Sequence, residues 1–181
     1  MNTSVPDSAA SSNPEKATPR VRVVLGNFMD QPTSGTQVFY MPETLSWEGP
    51  LNRAILSRAG EGLDHYILEN LIKPRRGDVF VIPETVSPSP RLLLAILPDW
   101  DDGLGDEERL LKKCTRSIFD QAEASGATSL MFPALGVASR DIPHKRAARI
   151  LLSVIGSYTF SGLREIVVVC KTVDIFNAYG G

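Results

Sequence analysis

Residues 129–155 read SLMFPALGVASRDIPHKRAARILLSVI, and this stretch decides the fold prediction. Its first part is apolar and typical of a buried strand over 128–132, whereas Pro143 opens a helix predicted to reach about residue 157. The small residues between them would let an anion approach backbone N–H groups beside the positive end of that helix. An ordinary strand-to-helix connection capped by Asp141 explains the same pattern, so the residues alone leave both interpretations open.

Outward from this stretch, short apolar runs alternate with amphipathic stretches. The runs predict strands over 21–25, 36–40, 78–82, 91–97, 128–132 and 165–170, and the amphipathic stretches predict helices over 52–59, 63–72, 106–125, 143–157 and 173–179. This alternation predicts an α/β domain of three α/β/α layers with a mixed, largely parallel central sheet. Ligands of such sheets bind beyond the carboxyl ends of the strands. The segments to search therefore follow Leu25, Tyr40, Phe132 and Cys170.

The composition favours one soluble domain behind a short tail. The chain has 181 residues, of which 43% are hydrophobic, and a formal net charge of −2, so bulk charge would not hold a nucleic acid. Residues 1–20 are small, polar and proline-containing, which predicts a disordered tail before a domain over 21–181. No apolar run approaches the ~20 residues of a membrane span. Two distant cysteines predict no disulfide framework, so a cytoplasmic setting is expected and membrane association is not.

No cofactor or metal site is expected from the sequence. The two histidines, His65 and His144, lack a metal-binding spacing. The acidic run between residues 99 and 108 lacks the regular spacing of an EF-hand loop, and a solvated loop leading into a helix explains it. Cys114 falls on the apolar stripe of a helix and Cys170 ends a buried strand, so both are interpreted as structural thiols.

The 129–155 stretch resembles the macro-domain segment in which a strand ending in Phe-Pro-Ala leads into the loop for the distal ribose and phosphates. Pro143 and the alanine pair at 147–148 resemble that family's Pro-Lys-x-x-Ala-Ala helix start, with a spacing that differs by one residue. VRVVLGNF at 21–28 resembles the opening strand and Gly-Asp-Ile turn. The similarity covers about residues 21–179 and implies a divergent, macro-like domain. The resemblance implies that its ligand is ADP-ribose or a related nucleotide. It also implies an ADP-ribosylated protein as a possible partner.

Asn27 and Phe28 stand where the Gly-Asp-Ile turn of the family has Asp and Ile. The resemblance implies that the family's Asp receives the amino group of adenine. An asparagine oxygen can still accept that hydrogen bond, although without the charge. A role in closing a turn explains Asn27 equally well.

The resemblance also places the residues that hydrolytic family members use, and this chain departs from them. Pro42 stands roughly at an Asn position, Gly49 alone remains of a glycine run, and Asn52 takes the position of an Asp. Because an amide cannot act as a base at neutral pH, water activation by the usual residues is predicted to be lost. Glu43 or Glu48 could substitute, and a solvated loop glutamate explains either of them.

Further ligand contacts are implied after two later strands. The predicted phosphate loop comprises Gly136, Val137, Ala138, Ser139 and Arg140. Its arginine could stack on a ribose and also pair with a phosphate. Lys171 follows the last strand, where many family members place an aromatic residue. Phe176 or Tyr179 could supply that aromatic, although both fit a terminal helix better.

Three functions follow from these residues. The favoured one is a non-hydrolytic binding module for ADP-ribose or a related nucleotide-diphosphate ligand. The second is a divergent domain that keeps the fold for protein–protein contacts. An ADP-ribosyl hydrolase is the least favoured, because the residues at 42 and 52 count against it.

Overall fold

The computed structural model describes residues 18–32, 34–88, 90–100, 105–135 and 142–181, and six β-strands within these ranges form one mixed sheet. The strands are β1 (Arg20–Leu25), β2 (Thr36–Met41), β3 (Val79–Val81), β4 (Arg91–Ile96), β5 (Ser129–Pro133) and β6 (Glu165–Cys170). Their order in the sheet is β1-β6-β5-β2-β4-β3. Only β3 runs antiparallel to its neighbour, so the carboxyl ends of the other five strands lie along one edge.

Five α-helices and one 3-10 turn accompany the sheet within the described residues. The turn spans Phe28–Asp30, and the helices are α1 (Gly49–Ala59), α2 (Glu61–Asn70), α3 (Glu107–Ala124), α4 (His144–Ser157) and α5 (Val173–Ala178). In α3, Leu111, Cys114 and Ile118 recur at helical spacing and are buried. Two glutamates occupy the first turn of α3, where negative charge suits the helix dipole.

The helices cover both faces of the sheet, which confirms the predicted three-layer α/β architecture. On β2, Val38 and Tyr40 point into a core shared with α3, α4 and α5, whereas Phe39 and Met41 point into a core shared with α1 and α2. The alternation follows from the two-residue period of a strand. All four β2 side chains are buried, as expected for a central strand that is packed on both faces.

The element boundaries differ from the predicted ones by at most three residues. The first helix begins at Gly49 rather than at residue 52, because Pro50 can occupy the first turn of a helix without losing a hydrogen bond. The first strand begins at Arg20, whose N–H donates to the Arg164 carbonyl, so this residue belongs to the sheet and not to the predicted tail. Residues 1–17 lie outside the described part, and their disorder stays a prediction. No helix in the described ranges is long and apolar enough to cross a membrane.

Candidate ligand-binding site

A cleft of about 560 Å³ lies along the carboxyl edge of the sheet. All four segments chosen from the sequence, after Leu25, Tyr40, Phe132 and Cys170, contribute to its walls. Its lining residues are mainly apolar, and the polar side chains among them include Asn27, Glu48, Asn52 and Lys171. The cleft therefore offers an apolar surface with a few polar groups, as is usual for small-molecule sites.

The turn after β1 forms one wall of the cleft. Asn27 caps the 3-10 turn, since its Oδ1 accepts a hydrogen bond from the Met29 N–H at 3.2 Å. Its backbone carbonyl accepts another from the Gln31 side chain at 3.1 Å. Phe28 is buried beneath the turn and only 4% exposed. Asn27 thus closes a turn through its side-chain oxygen and also lines the cleft.

The start of α1 forms the wall beside β2. Gly49 lines the cleft with a φ of +79°, a left-handed conformation that favours glycine. A Cβ there would meet no atom within 4 Å, so the backbone conformation, and not lack of space, is what requires glycine. Asn52 also lines the cleft and donates from Nδ2 to the Tyr40 carbonyl at 2.7 Å. Its side chain therefore connects α1 to the end of β2.

The two candidate glutamates differ in position. Glu43 accepts hydrogen bonds from Arg76, through Nε at 2.9 Å and the backbone N–H at 3.2 Å, and does not line the cleft. Glu48 does line the cleft, and its Oε1 accepts a hydrogen bond from the Ser46 hydroxyl at 2.9 Å. Pro42, at the end of β2, lines it as well and offers no side-chain polar atom. Glu48 is thus the carboxylate that the described residues bring to the cleft.

The ends of β5 and β6 form the floor. Pro133, Ala134 and Val169 line the cleft, and the Ala134 N–H donates to the Val169 carbonyl at 2.9 Å. Lys171 lies just beyond β6 with its side chain exposed at the cleft. The phosphate loop predicted from Gly136, Val137, Ala138, Ser139 and Arg140 lies outside the described residues, so its role stays a prediction.

Two buried tyrosines bond to the chain on either side of Ala134. The Tyr40 hydroxyl donates to the Pro133 carbonyl at 3.4 Å, and the Tyr179 hydroxyl donates to the Leu135 carbonyl at 3.1 Å. Burial raises the pKa of both tyrosines above the ordinary value, so both hydroxyls keep the proton that they donate. Tyr179 packs in the core, and neither it nor Phe176 lines the cleft as the missing aromatic.

The cysteines and histidines contribute no site among the described residues. Burial raises the pKa of Cys114 to about 12 and that of Cys170 to about 11, so both thiols are protonated at neutral pH. Both are buried, in agreement with their interpretation as structural thiols. No group of three or more His, Cys, Asp or Glu side chains in the described ranges could hold a metal ion.

Several cleft residues were not singled out from the sequence. They include Met29, Met41, Leu97 and Ala54. Apolar side chains at strand ends carry no chemical signal of their own, and only their position beyond the parallel strands could have identified them. Ala54 has a further signal, because it lies one helical turn after Pro50 and Leu51, which also line the cleft.

Both the sequence and the fold of this chain are similar to those of known proteins. A sequence model of the Macro domain matches residues 41–151. The O-acetyl-ADP-ribose deacetylase 1 of Pantoea vagans strain C9-1 is 28% identical over 105 residues, which are 57% of this chain and 61% of that protein, so the chain spans less than two thirds of its length. The Oceanobacillus iheyensis macrodomain with ADP superimposes with a TM-score of 0.78 at 20% identity, covering 91% of this chain and 90% of that one. The Trypanosoma brucei macrodomain in complex with ADP-ribose gives 0.70 at 21% identity, covering 88% and 67%. At these identities, the two structures support the fold.

Proposed function

The chain belongs to the macro-domain family, and from this premise we propose that its cleft binds ADP-ribose, or a related nucleotide diphosphate, without hydrolysing it. The observation that carries the proposal is the cleft itself, which joins the carboxyl ends of β1, β2, β5 and β6 into one mainly apolar surface. Two structural relatives were solved with ADP and with ADP-ribose, which favours a ligand of this class.

The shape and chemistry of the cleft suit a nucleoside. A base and a ribose are flat or compact groups with a few polar atoms, and they need an apolar surface with a few hydrogen-bonding partners. Phe28, Met29 and Leu51 supply apolar surface, while Asn27 and Lys171 supply polar atoms. The diphosphate would then lie over residues 136–140, where Arg140 is the cation that we expect to pair with it.

Pro42 and Asn52 argue against hydrolysis by the route that the family resemblance implies. Pro42 has no side-chain group that could orient a water molecule, and the Asn52 amide donates to the Tyr40 carbonyl. An asparagine at this position cannot take a proton from water at neutral pH. We therefore assign the cleft to recognition, with an ADP-ribosylated protein as a candidate partner. A cytoplasmic location remains a prediction.

Calorimetric titration with ADP-ribose, AMP and inorganic phosphate tests this proposal. Ala54→Phe places an aromatic ring on the α1 wall of the cleft and should abolish binding while the circular-dichroism spectrum and the melting temperature are kept. Ala124→Phe is the matched control, because this exposed residue of α3 lies outside the cleft and should bind like the wild type. Arg140→Ala should weaken ADP-ribose binding by about 1.5–3 kcal/mol, the range for a hydrogen bond to a charged group. Equal binding by Ala54→Phe and the wild type would contradict the proposal.

Glu48 favours one alternative, a hydrolase. The relative named as an O-acetyl-ADP-ribose deacetylase is 28% identical to this chain over the matched residues. Glu48 lines the cleft and could serve as a base in place of the residues that are missing. A wild-type protein that binds none of the three titrated ligands would instead favour the second alternative, a domain used for protein–protein contacts.

A further inference from the structure

Two residues with side-chain hydrogen-bond donors follow neighbouring strands at one end of the cleft. Strands β1 and β6 are parallel neighbours in which Leu25 pairs with Cys170, and the Gly26 N–H donates to the Cys170 carbonyl at 2.9 Å. Asn27 and Lys171 therefore follow adjacent strands by two residues and one residue. Both are exposed and both line the cleft.

The capping bond fixes which way the Asn27 amide faces. A backbone N–H can bond only to the oxygen of that amide, so the 3.2 Å contact with Met29 directs Oδ1 into the 3-10 turn. The NH₂ group is then the end of the side chain that remains for the cleft. No acceptor in the described part of the chain bonds to it.

Lys171 adds a second group that can only donate. Its ammonium carries three N–H donors and no acceptor. Among the described residues, none forms an ion pair with it. Asp30 in the 3-10 turn and Asp174 in α5 are the nearby carboxylates in sequence, and neither lines the cleft. The carboxylate that does, Glu48, enters from the start of α1 and not from β1 or β6.

We propose that Asn27 and Lys171 make the cleft select a base with a ring carbonyl, such as hypoxanthine, guanine or uracil, over adenine. The inference rests on the proposed function and specifies its ligand. A carbonyl oxygen accepts hydrogen bonds and matches two donors, whereas the amino group of adenine is itself a donor and would face them unpaired. A buried or half-buried donor without an acceptor loses its hydrogen bond to water, and this loss is the source of the selectivity.

Inosine diphosphate and ADP are the probes that isolate this effect. They differ only in the base, where inosine diphosphate has a carbonyl oxygen and a ring N–H in place of the amino group and an unprotonated ring nitrogen. The wild type should bind inosine diphosphate about fivefold more tightly than ADP, the factor that corresponds to one hydrogen bond. Equal affinities, or tighter binding of ADP, would overturn the inference while leaving the proposed function intact. Failure to bind either nucleotide would overturn the inference, and failure to bind ADP-ribose as well would overturn the proposed function with it.

Two variants assign the preference to these side chains. Asn27→Asp keeps one oxygen for the Met29 cap and turns the other toward the cleft as an acceptor, so the preference should move toward ADP by about fivefold. Lys171→Met keeps the apolar stem without the donor and should reduce the preference for inosine diphosphate. Asn177→Asp and Lys73→Met change the charge equally outside the cleft and should bind like the wild type. A preference unchanged in both cleft variants would show that other groups read the base and would overturn the assignment.

Discussion

The side chains of Asn52 and Glu48 face the same cleft with different chemical capacities. The Asn52 amide donates a hydrogen bond to the Tyr40 carbonyl at 2.7 Å and so connects α1 to β2. Glu48 retains a carboxylate and holds the Ser46 hydroxyl, while Glu43 is engaged by Arg76 away from the cleft. Of these two glutamates, Glu48 is therefore the one placed to act as a base in the cleft.

We expect no multiple turnover of a mono-ADP-ribosylated protein or of O-acetyl-ADP-ribose by the wild type. The reason is that Pro42 has no side-chain amide to orient a water molecule, and Asn52 has no carboxylate to take its proton. Product release followed by mass spectrometry measures this directly. Turnover that disappears in Glu48→Gln and persists in Glu43→Gln would contradict the non-hydrolytic proposal and identify the base.

The short segment from 133 to 135 is held by three different elements. Tyr40 of β2 bonds to its first carbonyl, the backbone of β6 bonds to its central N–H, and Tyr179, just after α5, bonds to its last carbonyl. These bonds fix the direction in which the chain leaves β5, immediately before the predicted phosphate loop. Tyr179 thus supports the segment between β5 and the predicted phosphate loop, although it does not itself line the cleft.

Tyr179→Phe should loosen the chain after β5. The change leaves the Leu135 carbonyl unpaired in a buried place, at a cost of about 1–3 kcal/mol in the free energy of unfolding. Backbone amides of residues 134–142 should exchange faster in hydrogen-exchange measurements, and ADP-ribose should lose more affinity than adenosine, which has no diphosphate.

Tyr158→Phe is the control for this change. Its hydroxyl bonds to Asp120 on α3 at 2.7 Å, away from the cleft, so the same atom is removed without touching residues 133–135. Equal exchange rates of residues 134–142 in the two variants would contradict the role assigned to Tyr179.

Ionisable groups with shifted pKa values contribute a pH-dependent part of the stability of the domain. Burial alone would raise the pKa of Glu123, but hydrogen bonds from Ser161, Leu163 and Gly162 outweigh it and lower the pKa below the ordinary 4.5. Its contribution is therefore complete above that value and is lost as the pH falls toward the folded pKa. The buried thiols and tyrosines have raised pKa values, so their contribution is complete below their unfolded pKa and is lost at alkaline pH.

The melting temperature should accordingly be flat between about pH 5 and 8.5 and fall on both sides. Glu123→Gln should lower the free energy of unfolding at neutral pH by about 1–3 kcal/mol, since charged hydrogen bonds to the 161–163 loop are weakened. The acid slope of the melting curve should flatten in the same variant. Glu69→Gln removes an exposed pair with His65 and should change stability by less than about 1 kcal/mol. An acid slope equal to that of the wild type in Glu123→Gln would contradict the role given to this carboxylate.

The order and type of the secondary-structure elements could be predicted from the sequence because their signals are local. Apolar periodicity identified α3, and the β-branched run EIVVVC identified β6 with its bounds unchanged. The position of the cleft was predictable for a related reason, since parallel strands place their carboxyl ends at one edge. The family resemblance was also carried by local motifs, and the match over residues 41–151 confirmed it.

The partners of the polar side chains were decided only by the tertiary structure. The sequence shows Glu43 and Glu48 as equals five residues apart, and only the fold brings Arg76 to the first and the cleft to the second. Likewise, no local pattern shows that Asn27 caps a turn with its oxygen, or that Tyr179 reaches Leu135 across 44 positions of the chain. Periodicity reports which face of an element is apolar. A hydrogen bond depends on the distance and angle between groups that the chain brings together only when it folds.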